Sequence, residues 1–292
     1  MEKYSIGIDF GTLSARAVLV NVKNGKILSE SEFIYPHGVI EESMPDGTLL
    51  PEGFSLQHPE DYLDALKKVI PELLKNTGVE RSQIVGIGTD FTSSTMLSVL
   101  ENGTPLCFLP EYKNNPFAYA ILWKHHASQK AADRINLIAK KTNQPWLDNF
   151  GGKISSEWGI PKLLQIYFRK VEAGFEEKVI DKLGKNFLPV AAKAGGLTAK
   201  MAEMTGLSEG TPVSTGMVDA YASLPAVGID QPGKMLLIVG TSVCEILVEQ
   251  EGRNIPGLCG KAKDGILPGF FAHEGAQSAG GDILAWFVNH CC

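Results

Sequence analysis

The sequence predicts an α/β fold, because short apolar strands, polar turns and amphipathic helices alternate along most of its length. The opening stretch GIDFGTLSARAVLV (residues 7–20) predicts two strands around a tight turn. Residues 58–76 carry apolar side chains at helical spacing. Further strand–turn–strand patterns occur at residues 82–100 and 233–252. With 292 residues, the chain is long enough for two domains and a sizeable core.

The individual elements have recognisable boundaries. Asn24-Gly25 lies between two apolar runs and predicts a type I′ hairpin turn. Thr198 and Gly206 are suited to cap the two ends of a short helix. Additional helices are predicted at residues 117–140, at 156–173 and in the closing stretch GAQSAGGDILAWFVNH, and the helix at 58–76 is expected to stop near Gly78.

Composition and charge exclude several function classes. The net charge of −6 argues against a nucleic-acid partner, which a basic face would bind. No apolar run is long enough for a membrane-spanning helix, and the opening MEKYSIGIDF lacks the pattern of a secretory signal. The five cysteines contain no CxxC pair with zinc spacing. A cytoplasmic enzyme without a membrane partner is therefore expected.

Three turns, each at the end of an apolar strand, are candidate phosphate sites: Asp9–Ser14, Asp90–Thr95 and Gly240–Ser242. Successive backbone N–H groups at such turns form a concave anion site, and hydroxyl side chains add further donors. Asp9 is placed to hold Mg²⁺ through water. Walker A, HExxH, GxSxG and GxGxxG motifs are all absent from the sequence. These parts together suit phosphoryl transfer.

Phosphoryl transfer to a hydroxyl needs a base, and Asp219 in TGMVDAYA is the best candidate. Gly216 allows close backbone approach, and the acid follows where a strand turns into a helix. The alternative is that Asp219 is an ordinary helix N-cap. The Gly-Thr turns near residues 11 and 240 share one pattern, which indicates either a duplicated fold or the chance recurrence of a common turn.

In their order along the chain, GIDFGTLSARAVLV, GMVDAYASLPAVG, IVGTSVCEIL and HEGAQSAGGDILAWFV resemble the FGGY family of carbohydrate kinases. Two further stretches, EYKNNPFAYAILWKHHASQKAADRIN and GGKISSEWGIPKLLQI, are similar to the family members that phosphorylate L-ribulose. Most of the family has the pattern W-x-D-x-R, whereas this chain has WKHHA at residues 123–127. The resemblance covers about residues 1–175 and 188–290.

The resemblance implies a ribonuclease-H-like fold of the actin/hexokinase/Hsp70 superfamily, with a five-stranded mixed sheet and flanking helices. It implies ATP and Mg²⁺ as cofactors and a small sugar as substrate, and a homodimer is compatible with it. The implied product is L-ribulose 5-phosphate, formed in L-arabinose catabolism. The implied residues are Asp219 as catalytic base, Asp9 toward Mg²⁺, Gly11, Thr12, Ser14 and nearby Arg16 at the first phosphate turn, Gly240, Thr241 and Ser242 at the second, and Thr92, Ser93, Ser94, Trp123 and Glu274 toward the sugar.

Several of these side chains have simpler interpretations. Trp123 is also a good packing residue, and His125 and His126 are interpreted as solvated or as lying behind the site. Lys162 is interpreted as a surface charge.

The chain departs from the family pattern in two places. Near residues 175–187 a family segment that includes a sugar-contacting lysine is absent, so the flanks join almost directly. The family also continues beyond the equivalent of residue 292. The expected domains are therefore an internally shortened sugar-binding domain (1–229) and the beginning of a nucleotide-binding domain (230–292) without most of its adenosine pocket. Weak or absent activity and self-association are expected.

The sequence is also compatible with other functions. A kinase for D-ribulose, xylulose or glycerol keeps the family and changes the sugar, although the WKHH variant argues against xylulose and glycerol. A catalytically inactive protein that binds sugar or nucleotide is a second alternative. An actin-like or chaperone-like ATPase is a third.

Overall fold

The structure is a computed structural model that describes residues 2–172, 188–240, 243–277 and 280–291. The strands are β1 (Tyr4–Phe10), β2 (Ser14–Asn21), β3 (Ile27–Ile34), β4 (Leu56–Gln57), β5 (Ile84–Phe91), β6 (Ala120–Ile121), β7 (Lys193–Gly196), β8 (Pro212–Ser214), β9 (Met217–Val218), β10 (Met235–Val239), β11 (Val243–Glu249), β12 (Gly260–Lys263) and β13 (Phe271–Gln277). The α-helices are α1 (Pro59–Leu74), α2 (Gln129–Lys141), α3 (Gly159–Glu172), α4 (Ala199–Thr205), α5 (Asp219–Ala226) and α6 (Gly280–Cys291).

The chain divides into two compact units. The first contains residues 1–132 and 155–216, and the second contains residues 133–154 and 217–292. The first unit has a mixed sheet in the order β3-β2-β1-β5-β8-β7, in which β1, β5 and β8 run parallel and the other pairs are antiparallel. The short edge strand β7 extends the five strands that the family resemblance implies.

One face of this sheet is covered by α1. The helix begins with Pro59, whose missing N–H costs nothing at that position, and the His58 ring accepts a hydrogen bond from the Glu60 backbone N–H. Val69, Ile70 and Leu73 lie on one side of α1 and pack against the even-numbered residues of β1. The predicted helix at 58–76 is confirmed. The opposite face of the sheet carries Asp9 and, in register with it on β2, Arg16.

The predicted hairpin between β2 and β3 is confirmed, but its type I′ turn is wrong. The connection is five residues long, and Gly25 has a φ of +70° while Asn24 is not at positive φ, as a type I′ turn would require. The Asn21 side chain accepts the Lys23 N–H, and the Gly25 N–H donates to the Asn21 carbonyl. Asn21 therefore closes a wider loop.

The single helix predicted at 117–140 is also wrong. Its first half is a single 3₁₀ turn followed by β6, which pairs with β4, and the helix begins only at Gln129. The apolar run at residues 118–122 is buried in this short strand pair. Apolar runs of this length do not distinguish a buried strand from a helix. The helices predicted at 156–173 and at 198–206 are confirmed with small shifts at their ends.

The second unit is built on an antiparallel sheet in the order β10-β11-β13-β12. Leu224 of α5 packs against Ile246 and Val248 of β11 in its core. Helix α6 leaves five large apolar side chains at least half exposed, namely Ile283, Leu284, Trp286, Phe287 and Val288. None of the helices within the described ranges is long and apolar enough to cross a membrane.

Candidate functional site

The first predicted phosphate turn is a tight reversal between β1 and β2. The Gly11 N–H donates to the Ser14 carbonyl at 3.0 Å. A Cβ at Gly11 would stand 3.1 Å from that carbonyl oxygen and about 4 Å from both carboxylate oxygens of Asp9, at 3.9 and 4.0 Å. The structure therefore brings Asp9 against the turn and leaves little room there for a side chain.

A row of charged residues crosses the sheet beside this turn. Glu32, Arg16, Asp9 and Asp90 stand next to one another on β3, β2, β1 and β5. Residues paired in register lie on the same face of a sheet. The row thus places two carboxylates, Asp9 and Asp90, on neighbouring parallel strands.

Arg16 and Ser14 are both engaged by Glu32. The Ser14 hydroxyl donates to the Glu32 carboxylate at 2.8 Å, and the Arg16 Nε donates to the same oxygen at 3.0 Å. These two hydrogen bonds, from Ser14 first and Arg16 second, lower the pKa of Glu32. The side chains predicted to lie at the phosphate turn therefore hold a carboxylate in this structure.

The backbone carbonyls of the turn accept hydrogen bonds from a side chain of the same unit. Gln57 is buried, and its Nε2 donates to the carbonyls of Gly11 at 3.1 Å and Thr12 at 2.7 Å. The indole N–H of Trp123 donates to the Thr12 hydroxyl at 3.1 Å. Trp123, expected at the sugar or in the core, thus contacts the predicted phosphate turn directly. No motif in the sequence singled out Gln57.

The predicted sugar turn at residues 92–94 follows β5. Thr92 is buried, and its hydroxyl pairs with that of Thr95 at 2.6 Å. Ser93 is exposed and Ser94 is half-buried, with a φ of +51° that non-glycine residues seldom adopt. Ser93 is thus the exposed residue of this turn, whereas the Thr92 hydroxyl is engaged within it.

Lys162 of α3 is fully buried, so its interpretation as a surface charge is wrong. Its Nζ donates to the carbonyls of Leu122 at 2.6 Å, Ser94 at 3.0 Å and Trp123 at 3.4 Å. Burial lowers the pKa of Lys162 from 10.5 to about 8. One lysine therefore joins the turn at residues 92–94 to the segment that carries Trp123.

The same helix holds the next residues of that segment. Gln165 donates to the Ala127 carbonyl, and its side-chain oxygen lies 3.0 Å from Nε2 of His125. The Ser55 N–H donates to the other ring nitrogen of His125 at 3.3 Å. Burial lowers the pKa of His125 to about 4, so the ring is neutral at pH 7. His125 is buried rather than solvated, and it braces the Trp123 segment.

Asp219 is the first residue of α5 in the second unit. Val218 occupies the N-cap position, and the Asp219 carboxylate accepts the N–H of Ala220 at 2.7 Å. An acid in the first turn is favoured by the helix dipole. Asp219 is half-buried, and it contributes to raising the pKa of Glu274. The two carboxylates are therefore electrostatic neighbours.

Glu274 lies on β13, one of the two inner strands of the sheet in the second unit. The Tyr221 hydroxyl donates to its Oε2 at 2.9 Å, and the thiol of Cys244 lies 4.0 Å from Oε1. Burial raises the pKa of Glu274, and the hydrogen bond from Tyr221 partly opposes that effect. Tyr221 directly follows Ala220 on α5 and was not anticipated from the sequence.

The remaining predicted residues are Gly240, Thr241 and Ser242 of the second phosphate turn. Gly240 follows β10, and its carbonyl accepts the N–H of Gly281 at 2.9 Å. Thr241 and Ser242 lie outside the described residues, as does the predicted join at 175–187. Within the first unit the structure thus brings Asp9, Gly11, Thr12 and Trp123 together.

Comparison with known proteins identifies the same family that the sequence motifs resemble. The FGGY family of carbohydrate kinases, N-terminal domain, matches residues 4–163. The chain is 39% identical to the ribulokinase of Shouchella clausii (strain KSM-K16) over 343 aligned residues, covering 99% of this chain and 61% of the relative. It is 40% identical to the ribulokinase of Bacillus licheniformis over 331 residues, covering 95% of this chain and 60% of the relative.

The chain therefore spans about 60% of the length of these relatives. Both alignments are longer than the 292 residues of this chain, so the relatives contain residues inside the matched region that it lacks. This agrees with the predicted internal shortening.

Solved structures share the fold. The chain matches the xylulose kinase from Rhodospirillum rubrum with a TM-score of 0.77 at 21% identity, covering 98% of this chain and 62% of that one. It matches the gluconate kinase from Lactobacillus acidophilus with a TM-score of 0.76 at 17% identity, with the same two coverages. The predicted fold class is thereby confirmed.

Proposed function

Because this chain belongs to the FGGY family of carbohydrate kinases, we propose that it binds a ketopentose and the phosphates of ATP, as part of an L-ribulose kinase. The proposed product is L-ribulose 5-phosphate, an intermediate of L-arabinose catabolism. The identity of 38–40% to ribulokinases over nearly the whole chain supports this sugar. The observation that carries the proposal is the Asp9–Thr12 turn, in which Gln57 holds the carbonyls of Gly11 and Thr12 on one side.

In the first unit, the backbone of the turn is the proposed cradle for a phosphate group. Asp9 and Asp90 stand side by side in register, and carboxylate oxygens are suitable ligands for Mg²⁺. Mg²⁺ is commonly held by only one or two carboxylates together with phosphates and water, so this pair fits the ion. When bound, Mg²⁺ would neutralise phosphate charge. The residues 92–94 are the proposed contact for the sugar.

In the second unit, Asp219 is the proposed general base. It would accept the proton of the C5 hydroxyl while that oxygen forms a bond to the γ-phosphorus and ADP leaves. Glu274 is proposed to accept a hydrogen bond from another sugar hydroxyl, with Tyr221 fixing its orientation. Gly240, Thr241 and Ser242 are proposed as the second phosphate turn.

We further propose the division into a sugar-binding domain (1–229) and the start of a nucleotide-binding domain (230–292), a cytoplasmic location where ATP is available, and a homodimer. A second candidate function is a protein that binds sugar without phosphorylating it. The residues that ribulokinase relatives contain inside the matched region, and this chain lacks, favour that candidate.

The test is ADP release by the purified 292-residue chain with ATP and Mg²⁺, with and without L-ribulose, D-ribulose and xylulose. L-ribulose-dependent release that falls by orders of magnitude in Asp219→Asn, with an unchanged unfolding transition, would support the kinase. Absence of release together with calorimetric binding of L-ribulose would establish the binding protein instead. Sugar-independent ATP hydrolysis would indicate an ATPase.

A further inference from the structure

We propose that Gln57 is a positioning residue for the first phosphate turn, because its side-chain amide fixes the direction in which the Thr12 and Leu13 backbone N–H groups point. The inference rests on the proposed function, in which this turn receives an anion. It concerns the first unit alone.

The amide of Gln57 has a defined orientation. The Tyr62 hydroxyl donates to Gln57 Oε1 at 2.6 Å, so the side-chain oxygen faces the tyrosine and the NH₂ group faces the turn. Burial raises the pKa of Tyr62, which keeps this hydroxyl protonated as a donor. The NH₂ group then donates to two carbonyls, those of Gly11 and Thr12. Gln57 is 1% exposed and has both ends of its amide satisfied.

The planarity of the peptide bond converts these contacts into a direction for the N–H groups. The carbonyl of Gly11 and the N–H of Thr12 belong to one peptide plane and point in opposite directions. The same holds for the carbonyl of Thr12 and the N–H of Leu13. Because both carbonyls converge on a single nitrogen of Gln57, both N–H groups point to the side away from it.

That side is available to a ligand. Within the part of the chain that the structure describes, the backbone N–H groups of Thr12 and Leu13 have no hydrogen-bond acceptor, and Leu13 is 61% exposed. The Thr12 hydroxyl accepts from Trp123, which can only donate, so the hydroxyl proton is left to donate elsewhere. Two successive N–H groups and one hydroxyl proton form a set of donors suited to a phosphate or sulfate.

Without Gln57, either peptide could rotate and turn a carbonyl oxygen toward the anion. A turn whose N–H groups already point toward the anion avoids this reorganisation. Such preorganisation is the usual reason why backbone groups bind anions strongly. Gln57 therefore contributes to anion affinity without touching the anion.

The experiment titrates the full chain with sulfate, whose charge is constant over the pH range used, while the amide resonances of Thr12 and Leu13 are followed by ¹H–¹⁵N NMR. Gln57→Glu replaces the NH₂ donor by an ionised oxygen that repels both carbonyls. Gln144→Glu makes the same charge change at an exposed position in the second unit and is the matched control.

We expect sulfate to shift both resonances in the native chain and in Gln144→Glu, and Gln57→Glu to bind about tenfold more weakly at about pH 8. Lowering the pH to about 5 protonates the introduced carboxylate, whose pKa burial should raise, and restores one O–H donor, so affinity should partly recover. A purely structural defect would not recover. Native affinity in folded Gln57→Glu, or no sulfate response at Thr12 and Leu13 in the native chain, would overturn the inference.

Tyr62→Phe is the second variant, used where Gln57→Glu does not fold. It frees the Gln57 amide to rotate and should weaken sulfate binding about threefold, whereas unchanged affinity would overturn the inference. ADP release is measured on the same samples. A chain that binds sulfate at this turn through Gln57 but releases no ADP with any sugar supports the inference and rejects the kinase.

Discussion

The buried Lys162 gives the sharpest prediction about stability. Lys162→Met keeps most of the buried alkyl chain but removes the ammonium group that donates to three carbonyls. In the folded chain the pKa of Lys162 is about 8, below its ordinary value of 10.5. As the pH rises, the folded state therefore loses this proton before the unfolded state does. Unfolding then takes up a proton, and stability rises with pH over this window.

The size of the effect follows from linkage. Between about pH 7 and pH 10, the native chain should gain about 2.5 kcal/mol in unfolding free energy relative to Lys162→Met. Urea unfolding of both proteins at several pH values measures this difference, in which the other titrating groups cancel. Lys200→Met, at an exposed lysine of the same unit, is the control. A difference between native chain and Lys162→Met that does not change with pH would refute the reasoning.

The remaining predictions concern a close contact, a hydrogen bond and an exposed surface. A Cβ at Gly216 would overlap the ring of Phe91, so Gly216→Ala should cost about 1–3 kcal/mol in urea unfolding, and a second change, Phe91→Leu, should restore most of it. Tyr221→Phe removes the donor to Glu274, so the pKa of Glu274 should rise in a ¹³C NMR titration; an unchanged or lower value would contradict its assignment as a hydrogen-bond donor. Trp286→Glu on the exposed apolar face of α6 should reduce self-association measured by light scattering, and a monodisperse native monomer would contradict that expectation.

The local sequence pattern was sufficient to predict those helices whose ends are fixed by capping residues within the same segment. Helix α4 begins after Thr198, whose hydroxyl accepts the Met201 N–H, and it ends at Gly206 with a φ of +74°. Helix α1 follows its apolar spacing in the same way. The fold class was predicted from the order of several motifs along the chain, because one strand and its turn do not specify which strands pair.

Contacts between residues far apart in the sequence determine the parts of the structure that the local sequence pattern does not predict. The segment at 122–127 contains residues that a helix would accept, but Lys162 and Gln165 bind its carbonyls from 40 and 38 residues along the chain. A lysine on an amphipathic helix is typical of a solvated face, and only the tertiary structure shows that three carbonyls accept hydrogen bonds from it. The contacts of Gln57 were equally unpredictable from the local sequence, because the two carbonyls that accept its hydrogen bonds lie 45 and 46 residues earlier in the chain.

The charged row across β3, β2, β1 and β5 would affect how an anionic ligand approaches the turn. It contains three acids and one base, and the single arginine already holds Glu32. A bare polyphosphate approaching Asp9 would therefore meet a surface with more negative than positive charge. Under the proposed function, this surface would favour a phosphate donor whose charge is already partly neutralised by a bound cation, and association should become faster when added salt screens the remaining repulsion.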